Sequence, residues 1–184
     1  MRLIKTHIFG TVVASAVLSA LAGCAQETPK TDVVAEAAVE TVHAEDAPLT
    51  SGLNHVGLTV TDLEASTRFF TETLNWKLAG GVADYPSNFV TDGEVFVTLW
   101  RATDPKTATS FNRKTNVGLH HLALTIADVE TLAELHETFL ADPNVRVEFG
   151  PQLNGGGPTV HMMVYEPSGA RIEFAVPGGK SRAK

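Results

Sequence analysis

Two histidines stand at equivalent positions in two similar stretches of the chain, residues 53–64 and 119–130, which lie 66 residues apart. The offset aligns His55 with His121, and because neutral imidazole is the commonest metal ligand, two equivalent histidines indicate a shared ion. A third ligand is predicted at Glu173, a carboxylate flanked by apolar residues, since a charge in such a strand requires a partner. This two-histidine, one-carboxylate set would suit divalent Fe, Mn, Zn, Ni or Co. The alternative is two packing histidines and an exposed edge carboxylate.

Two further side chains are candidates for catalysis. His161 lies on a strand that should pair with the Glu173 strand, if Pro167 and Ser168 centre the hairpin between them, and it can then face the metal as an acid or base. Tyr165 has the same parity on that strand and could supply a hydroxyl group. A surface histidine and a packed tyrosine are the alternatives.

The predicted substrate pocket is largely aromatic. Phe96, Thr98 and Trp100 alternate along one strand and would share a face, and Met163 would line the same cleft from the second half of the chain. An aromatic wall indicates a mainly apolar or planar substrate, with ordinary core filling as the alternative.

The repeat also predicts the elements that position these residues. Each copy begins with alternating β-branched residues, continues with a helix that starts at Asp62 or Asp128, and ends with three strand-like runs. Two β-α-β-β-β modules, at about 52–101 and 117–178, are therefore expected. We predict an α+β fold in which the paired modules form a curved mixed sheet around a cleft.

The ends of the chain have a different character. Residues 1–23 combine positive charge with a short apolar run, which predicts a signal peptide, and the run ends in Leu21-Ala22-Gly23-Cys24. This ending resembles the lipobox of bacterial lipoproteins, which implies lipidation at Cys24 and, with Ala25 following, an outer-membrane lipoprotein facing the periplasm. The alternative is an inert cysteine in an ordinary signal or anchor. Residues 24–51 are predicted to be a disordered acidic tether, and residues 179–184 a disordered basic tail.

Overall composition excludes some classes of protein. With 14 Lys and Arg against 21 Asp and Glu, the net charge of -7 argues against a nucleic-acid partner. The 43% hydrophobic content excludes a wholly disordered chain, and a single cysteine excludes an internal disulfide.

The modules and their motifs resemble the vicinal oxygen chelate superfamily. The motifs are Leu-Asn-His-Val-Gly-Leu-Thr-Val around His55, His-His-Leu-Ala-Leu-Thr around His121, and Glu-Pro-Ser-Gly-Ala-Arg-Ile-Glu ending at Glu173. The superfamily includes glyoxalase I, fosfomycin-modifying transferases, extradiol dioxygenases and metal-free bleomycin-binding proteins. The resemblance implies a glyoxalase-like fold, one divalent metal, a small substrate that chelates through adjacent oxygens, and a homodimer.

Departures from the family patterns restrict the activity. The further glyoxalase I ligand would fall on Thr98, while the histidine and tyrosine of extradiol dioxygenases would fall on Asn154 and Met163. The sequence also supplies no clear cationic pocket of the kind that fosfomycin-type transferases need. We therefore expect a metal-dependent lyase, isomerase or dioxygenase of unassigned substrate, with a drug-sequestering binding protein as the alternative and a structural envelope lipoprotein as a third possibility.

Overall fold

The computed structural model of the protein describes residues 48–183. The predicted signal peptide, Cys24 and most of the acidic tether lie outside the described residues. Within residues 48–183, no helix is both long and apolar enough to cross a membrane.

The first module has the predicted order of elements. Asp62 caps its helix, because the carboxylate accepts a hydrogen bond from the Ala65 amide, and the helix continues into a π-helical stretch over Phe69–Thr73. The elements are β1 (His55–Val60), α1 (Leu63–Arg68), β2 (Lys77–Val82), β3 (Ser87–Thr91) and β4 (Phe96–Arg101).

The second module repeats this order. Asp128 caps its helix through the Thr131 amide, as the repeat predicts. The elements are β5 (Leu122–Thr125), α2 (Val129–Ala141), β6 (Arg146–Leu153), β7 (Val160–Tyr165) and β8 (Arg171–Val176), followed by a 3-10 turn at Pro177–Gly179.

Each module forms its own four-stranded mixed sheet. The strand order is β1-β4-β3-β2 in the first sheet and β5-β8-β7-β6 in the second, so the first strand of each module pairs in parallel with its last. The predicted two-module α+β fold is confirmed. Among the described strands no ladder joins the two sheets, so they are separate rather than one continuous or closed sheet.

One hydrophobic core holds the modules together. Alternation along the strands sends one set of side chains inward, including Val97 and Leu99 from β4 and Ile172 and Phe174 from β8. The helical segments meet in this core, where the rings of Phe69 and Phe139 stack with centroids 5.6 Å apart. The opposite face of each sheet remains available for a functional site.

A buried carboxylate adds a polar connection between the modules. Glu166, only 2% exposed, begins the loop between β7 and β8, and it accepts a hydrogen bond of 2.5 Å from the hydroxyl of Ser66 in α1. Its other oxygen accepts hydrogen bonds from the backbone amides of Ser168 and Ala170. Gly169 supplies the positive φ that this loop requires. Its hydrogen bonds satisfy both oxygens of the buried carboxylate.

The basic tail expected to be disordered is anchored at Arg182. The amide of this residue donates to Glu130, and its guanidinium lies 3.6 Å from Asp128 and 3.2 Å from Glu134. Negative charge in the first turns of α2 attracts the arginine, which explains why the chain follows the helix here.

Candidate metal centre

The candidate residues divide between the two sheets. Because side chains alternate along a strand, the residues that do not enter the core share the opposite face of their sheet. The first sheet carries one group and the second sheet the other. The first group is His55, Phe96, Thr98 and Trp100, and the second is His161, Met163, Tyr165 and Glu173, with His121 directly before β5.

Glu173 is the centre of the second group. Its Oε2 lies 2.9 Å from Nε2 of His121, and its Oε1 lies 2.5 Å from Nδ1 of His161. The Glu173 side chain is 13% exposed, so the carboxylate is shielded yet reachable from the open face of the sheet. Met163 pairs with Glu173 across the ladder and is buried, which leaves it little surface for a substrate.

His120 supports His121 from the other side. The Nδ1 atoms of the two rings are 2.8 Å apart, a hydrogen bond that leaves Nε2 of His121 to face Glu173. Partial desolvation, together with the positive charge of Arg171, lowers the pKa of His120 and favours its neutral form. A neutral His120 can accept the Nδ1 proton of His121, which would fix the lone pair of His121 on Nε2.

The spacing of the His121 and Glu173 donors fits a divalent ion. Two ligands bound at about 2.1 Å and at a right angle are about 3 Å apart, close to the separation of Nε2 and Oε2 here. Imidazole nitrogen with carboxylate oxygen is a donor set that such ions accept. Within residues 48–183 of one copy, however, no group of three or more His, Cys, Asp or Glu is arranged to hold a metal.

His55, the other predicted ligand, lies in the first sheet. It opens the edge strand β1 opposite Phe96, and its Nδ1 is 2.7 Å from Oδ1 of Asn54. Among the described carboxylates, none forms an ion pair with its ring. The structure therefore brings His121 to Glu173 but leaves His55 apart from them.

Thr98 occupies the place in the first sheet that Glu173 occupies in the second. Gly57 pairs with Thr98 as Ala123 pairs with Glu173, and the repeat aligns Gly57 with Ala123. The hydroxyl of Thr98 accepts a hydrogen bond of 2.9 Å from the Trp100 indole. The first sheet therefore has no carboxylate at the position equivalent to Glu173.

The aromatic residues of the first sheet form a partly open surface. The Trp100 ring packs against Tyr85 and Phe89, with centroids 5.1 and 5.8 Å away, and Phe96 is 42% exposed. Tyr85 was missed by sequence reasoning because it lies in the turn between β2 and β3, where strand alternation does not apply.

An arginine network was also missed. Glu148 binds two arginines, with Oε2 2.6 Å from Nε of Arg171 and Oε1 2.9 Å from Nη2 of Arg113. Arg113 also donates to the Tyr165 hydroxyl at 3.0 Å, and Arg146 lies over the Tyr165 ring at 3.6 Å. Tyr165, predicted to serve the metal site, is thus held by arginines. Arg171 could have been found from the parity it shares with Glu173, whereas Arg113 lies in an irregular loop.

The network makes a prediction for pH-dependent stability. The hydrogen bond from Arg171 and the nearby positive charges hold the pKa of Glu148 below its ordinary value. A lowered pKa in the folded protein adds stability above the unfolded pKa, and that stability is lost as the pH falls through the folded pKa. The Glu148→Gln variant should therefore melt roughly 3–5 °C below wild type at neutral pH. The gap should narrow as the pH falls below the ordinary glutamate pKa of about 4.3 and should close only below the lowered pKa of the folded state.

Thermal unfolding followed by circular dichroism from pH 7 to pH 3 measures this gap. Glu64→Gln is the matched control, because Glu64 is 84% exposed and, within residues 48–183, pairs only with Arg68 on the helix surface, so its Tm should shift little at any pH. A gap that stays constant across the pH range would contradict the role given to Glu148.

Comparison with known proteins agrees with this architecture. The family model described as Glyoxalase/Bleomycin resistance protein/Dioxygenase superfamily matches residues 52–174, more than half of the chain. The chain therefore belongs to this superfamily. No curated protein matches the sequence significantly.

Solved structures show the same fold. A glyoxylase/bleomycin resistance protein/dioxygenase domain from Frankia sp. EAN1pec is 27% identical with a TM-score of 0.57, covering 71% of this chain and 99% of that one. Lactoylglutathione lyase from Agrobacterium tumefaciens is 17% identical with a TM-score of 0.54, covering 71% and 97%. The fosfomycin resistance protein FosX from Listeria monocytogenes, in its hexagonal form, is 19% identical with a TM-score of 0.54, covering 70% and 94%.

Proposed function

We propose that this protein is a divalent-metal-dependent enzyme that acts on a small organic molecule through adjacent oxygen atoms. The observation that carries the proposal is the approach of His121 Nε2 to Glu173 Oε2, at the separation of two ligands on one ion. Solved structures with this fold include proteins named lactoylglutathione lyase and fosfomycin resistance protein, so the fold is compatible with lyase chemistry.

His121 and Glu173 would hold the ion, and His161 would act as a positioning residue. Its hydrogen bond to Oε1 holds the carboxylate plane, so that Oε2 stays directed at Nε2 of His121. A bound divalent ion would supply Lewis acidity toward substrate oxygens. The hydrogen bond to Glu173 uses Nδ1 of His161, so its Nε2 is available to exchange a proton. This is compatible with the predicted role of His161 as an acid or base.

His55 is proposed as the third ligand, contributed by a second copy of the chain. Within one copy it lies in the other sheet, away from Glu173, and three donors do not come together. Next to it, Phe96 and Leu53 are 42% and 66% exposed, so the open face around His55 has apolar surface that a partner would cover. This arrangement supports a homodimer in which each site draws on both copies.

Mixing two defective variants tests this arrangement. His55→Ala and His121→Ala should each lose stoichiometric metal, measured by elemental analysis of purified protein after loading with Mn²⁺ or Zn²⁺. Unfolding and refolding them together should restore about a quarter of the wild-type metal, because half of the dimers are mixed and each mixed dimer has one intact site. If the mixture recovers no bound metal, all the ligands come from one copy of the chain. If wild type and His121→Ala bind equal amounts of metal, the proposal of a metal-dependent enzyme is wrong.

A second candidate is a non-catalytic binding protein that sequesters a planar molecule. The cluster of Trp100, Tyr85 and Phe89 on the first sheet supports it. Binding of an aromatic ligand that is unaffected by metal removal and lost in Trp100→Ala would favour this candidate.

The envelope location remains a proposal from the sequence. Lipidation at Cys24 and a tether to about residue 51 would place the domain in the periplasm, attached to the outer membrane. Labelling with a palmitate analogue in a bacterial host, with Cys24→Ser as control, tests the anchor.

A further inference from the structure

A cavity of about 400 Å³ lies beside the candidate metal centre. Its lining comes from the loop between the modules, from the segment before β5 and from three strands of the second sheet. The charged and aromatic side chains that face it are Phe111, Arg113, His120, Arg146, Tyr165 and Arg171.

The cavity has more positive than negative charge. Three arginines line it, while Glu148 pairs with Arg113 and Arg171 and is the only carboxylate that pairs with any of the three among the described residues. Arg146 forms no ion pair or side-chain hydrogen bond within residues 48–183, and its guanidinium is held over the Tyr165 ring. An anion in the cavity would therefore meet at least one unneutralised guanidinium.

The arginines are also held in position before any ligand arrives. Glu148 fixes Arg171 at Nε, which leaves the terminal nitrogens of that guanidinium without a partner among described residues. Tyr165 supports Arg146 by its ring and Arg113 by its hydroxyl. Guanidinium groups fixed in this way match the oxygens of carboxylates and phosphates, to which they donate in pairs.

The cavity lies within reach of Glu173. Arg171 and Glu173 point to the same face of β8, two residues apart, a separation of about 7 Å along the strand. A small molecule with an anionic group among the arginines could place oxygen atoms at the other end against His121 and Glu173.

We propose that this cavity, lined by Arg113, Arg146 and Arg171, binds the anionic carboxylate or phosphate-type group of the substrate. The substrate is accordingly a small organic anion with adjacent oxygens at its other end. This assignment rests on the proposed metal-dependent function, whereas binding of an oxyanion to the cavity itself requires no metal.

The first experiment titrates chelator-treated protein with inorganic phosphate by calorimetry. Arg146→Gln should weaken phosphate binding about tenfold, because it removes a charged donor that no carboxylate of the described part of the chain neutralises. Arg68→Gln is the matched control, since Arg68 lies on α1 and pairs with Glu64 away from the cavity, and it should bind like wild type. Equal affinities in wild type, Arg146→Gln and Arg68→Gln, or no phosphate binding at all, would overturn the proposal.

Folding of the variants is checked by circular dichroism, and the Nε–H signals of arginine give a second measurement on wild type. Phosphate should shift the NMR signals of cavity arginines and leave Arg68 unchanged. Shifts spread over surface arginines without saturation would overturn the assignment.

The second experiment separates a free oxyanion from the anionic end of a substrate. 2-Phosphoglycolate, which carries both a phosphate and carboxylate oxygens, should bind about tenfold more tightly when Mn²⁺ is present, and His121→Ala should abolish the difference. If Mn²⁺ binds and no such difference is found, the substrate assignment is rejected. A protein that binds phosphate but no Mn²⁺ would instead contradict the proposed metal function while retaining the oxyanion site.

Discussion

Glu173→Gln is expected to weaken divalent-metal binding by more than roughly 100-fold, since loss of supporting partners alone costs 10–100-fold. Glutamine keeps the length of the side chain but has no charge, and one of its two terminal atoms is an amide donor that cannot bind a metal. Any activity that depends on the ion should fall with the affinity.

The partner of Glu173 should have a smaller effect. His161→Gln replaces the rigid ring nitrogen that lies 2.5 Å from the carboxylate with a flexible amide and leaves the proposed ligands in place, so we expect a loss of about 10–100-fold in metal affinity. The order of affinities, wild type above His161→Gln above Glu173→Gln, distinguishes a positioning residue from a ligand.

Competition with a metal-binding dye measures these affinities, and circular dichroism confirms that the variants fold. Glu148→Gln serves as the control, because it removes a carboxylate from the same sheet while leaving His121 and Glu173 in contact. If Glu173→Gln binds metal as tightly as wild type does, the ion is not held at this face of the second sheet.

The internal order of each module was predictable because it depends on local patterns. The repeat around His55 and His121 indicated two equal modules, and strand alternation separated the core residues from the open faces. Placing the hairpin at Pro167 and Ser168 also predicted that the strand of His161 pairs with the strand of Glu173, which the register of β7 and β8 confirms. Such features follow from chemistry within a few residues of each position.

The relation between the modules was not predictable in the same way. The repeat aligns His55 with His121 but gives no information about the distance between them. That distance depends on how the two sheets pack together through Phe69, Phe139 and the rest of the core. The sequence therefore predicts which residues face outward in each module. It does not predict that His55 lies apart from Glu173 in one copy.

The contacts that the irregular loop makes could not be predicted from the sequence for a related reason. Arg113 follows no periodic pattern, so nothing in its neighbourhood predicts that it binds Glu148 and Tyr165. The structure corrects the expectation that the chain has no clear cationic pocket, because the three arginines of the cavity come from a loop, from β6 and from β8, which lie far apart in the sequence.

Glu166→Ala is expected to destabilise the domain by roughly 3 kcal/mol or more, because it leaves buried donors without their acceptor. The hydroxyl of Ser66 and the amides of Ser168 and Ala170 all donate to this carboxylate. Truncation also removes volume from a site that is only 2% exposed. Thermal unfolding should show a Tm lower by roughly 10 °C, and denaturant unfolding measures the loss in the free energy of unfolding.

Glu166→Gln separates the hydrogen-bonding geometry from the charge. Its amide oxygen can accept from Ser168 and Ala170 while its amide nitrogen donates to Ser66, so a much smaller loss than in Glu166→Ala is expected. Glu137→Ala, at a side chain that is 79% exposed, should have little effect.

A double-mutant cycle between Ser66→Ala and Glu166→Ala then isolates the link across the modules. Because the two side chains are in direct contact, their combined effect should differ measurably from the sum of the single effects. Additive effects would mean that Glu166 stabilises only its own hairpin. In that case the docking of the two sheets, and with it the separation of His55 from Glu173 within one copy, would depend on the hydrophobic core and on the hydrogen bonds that Ser168 makes to Asp62 and Ser66.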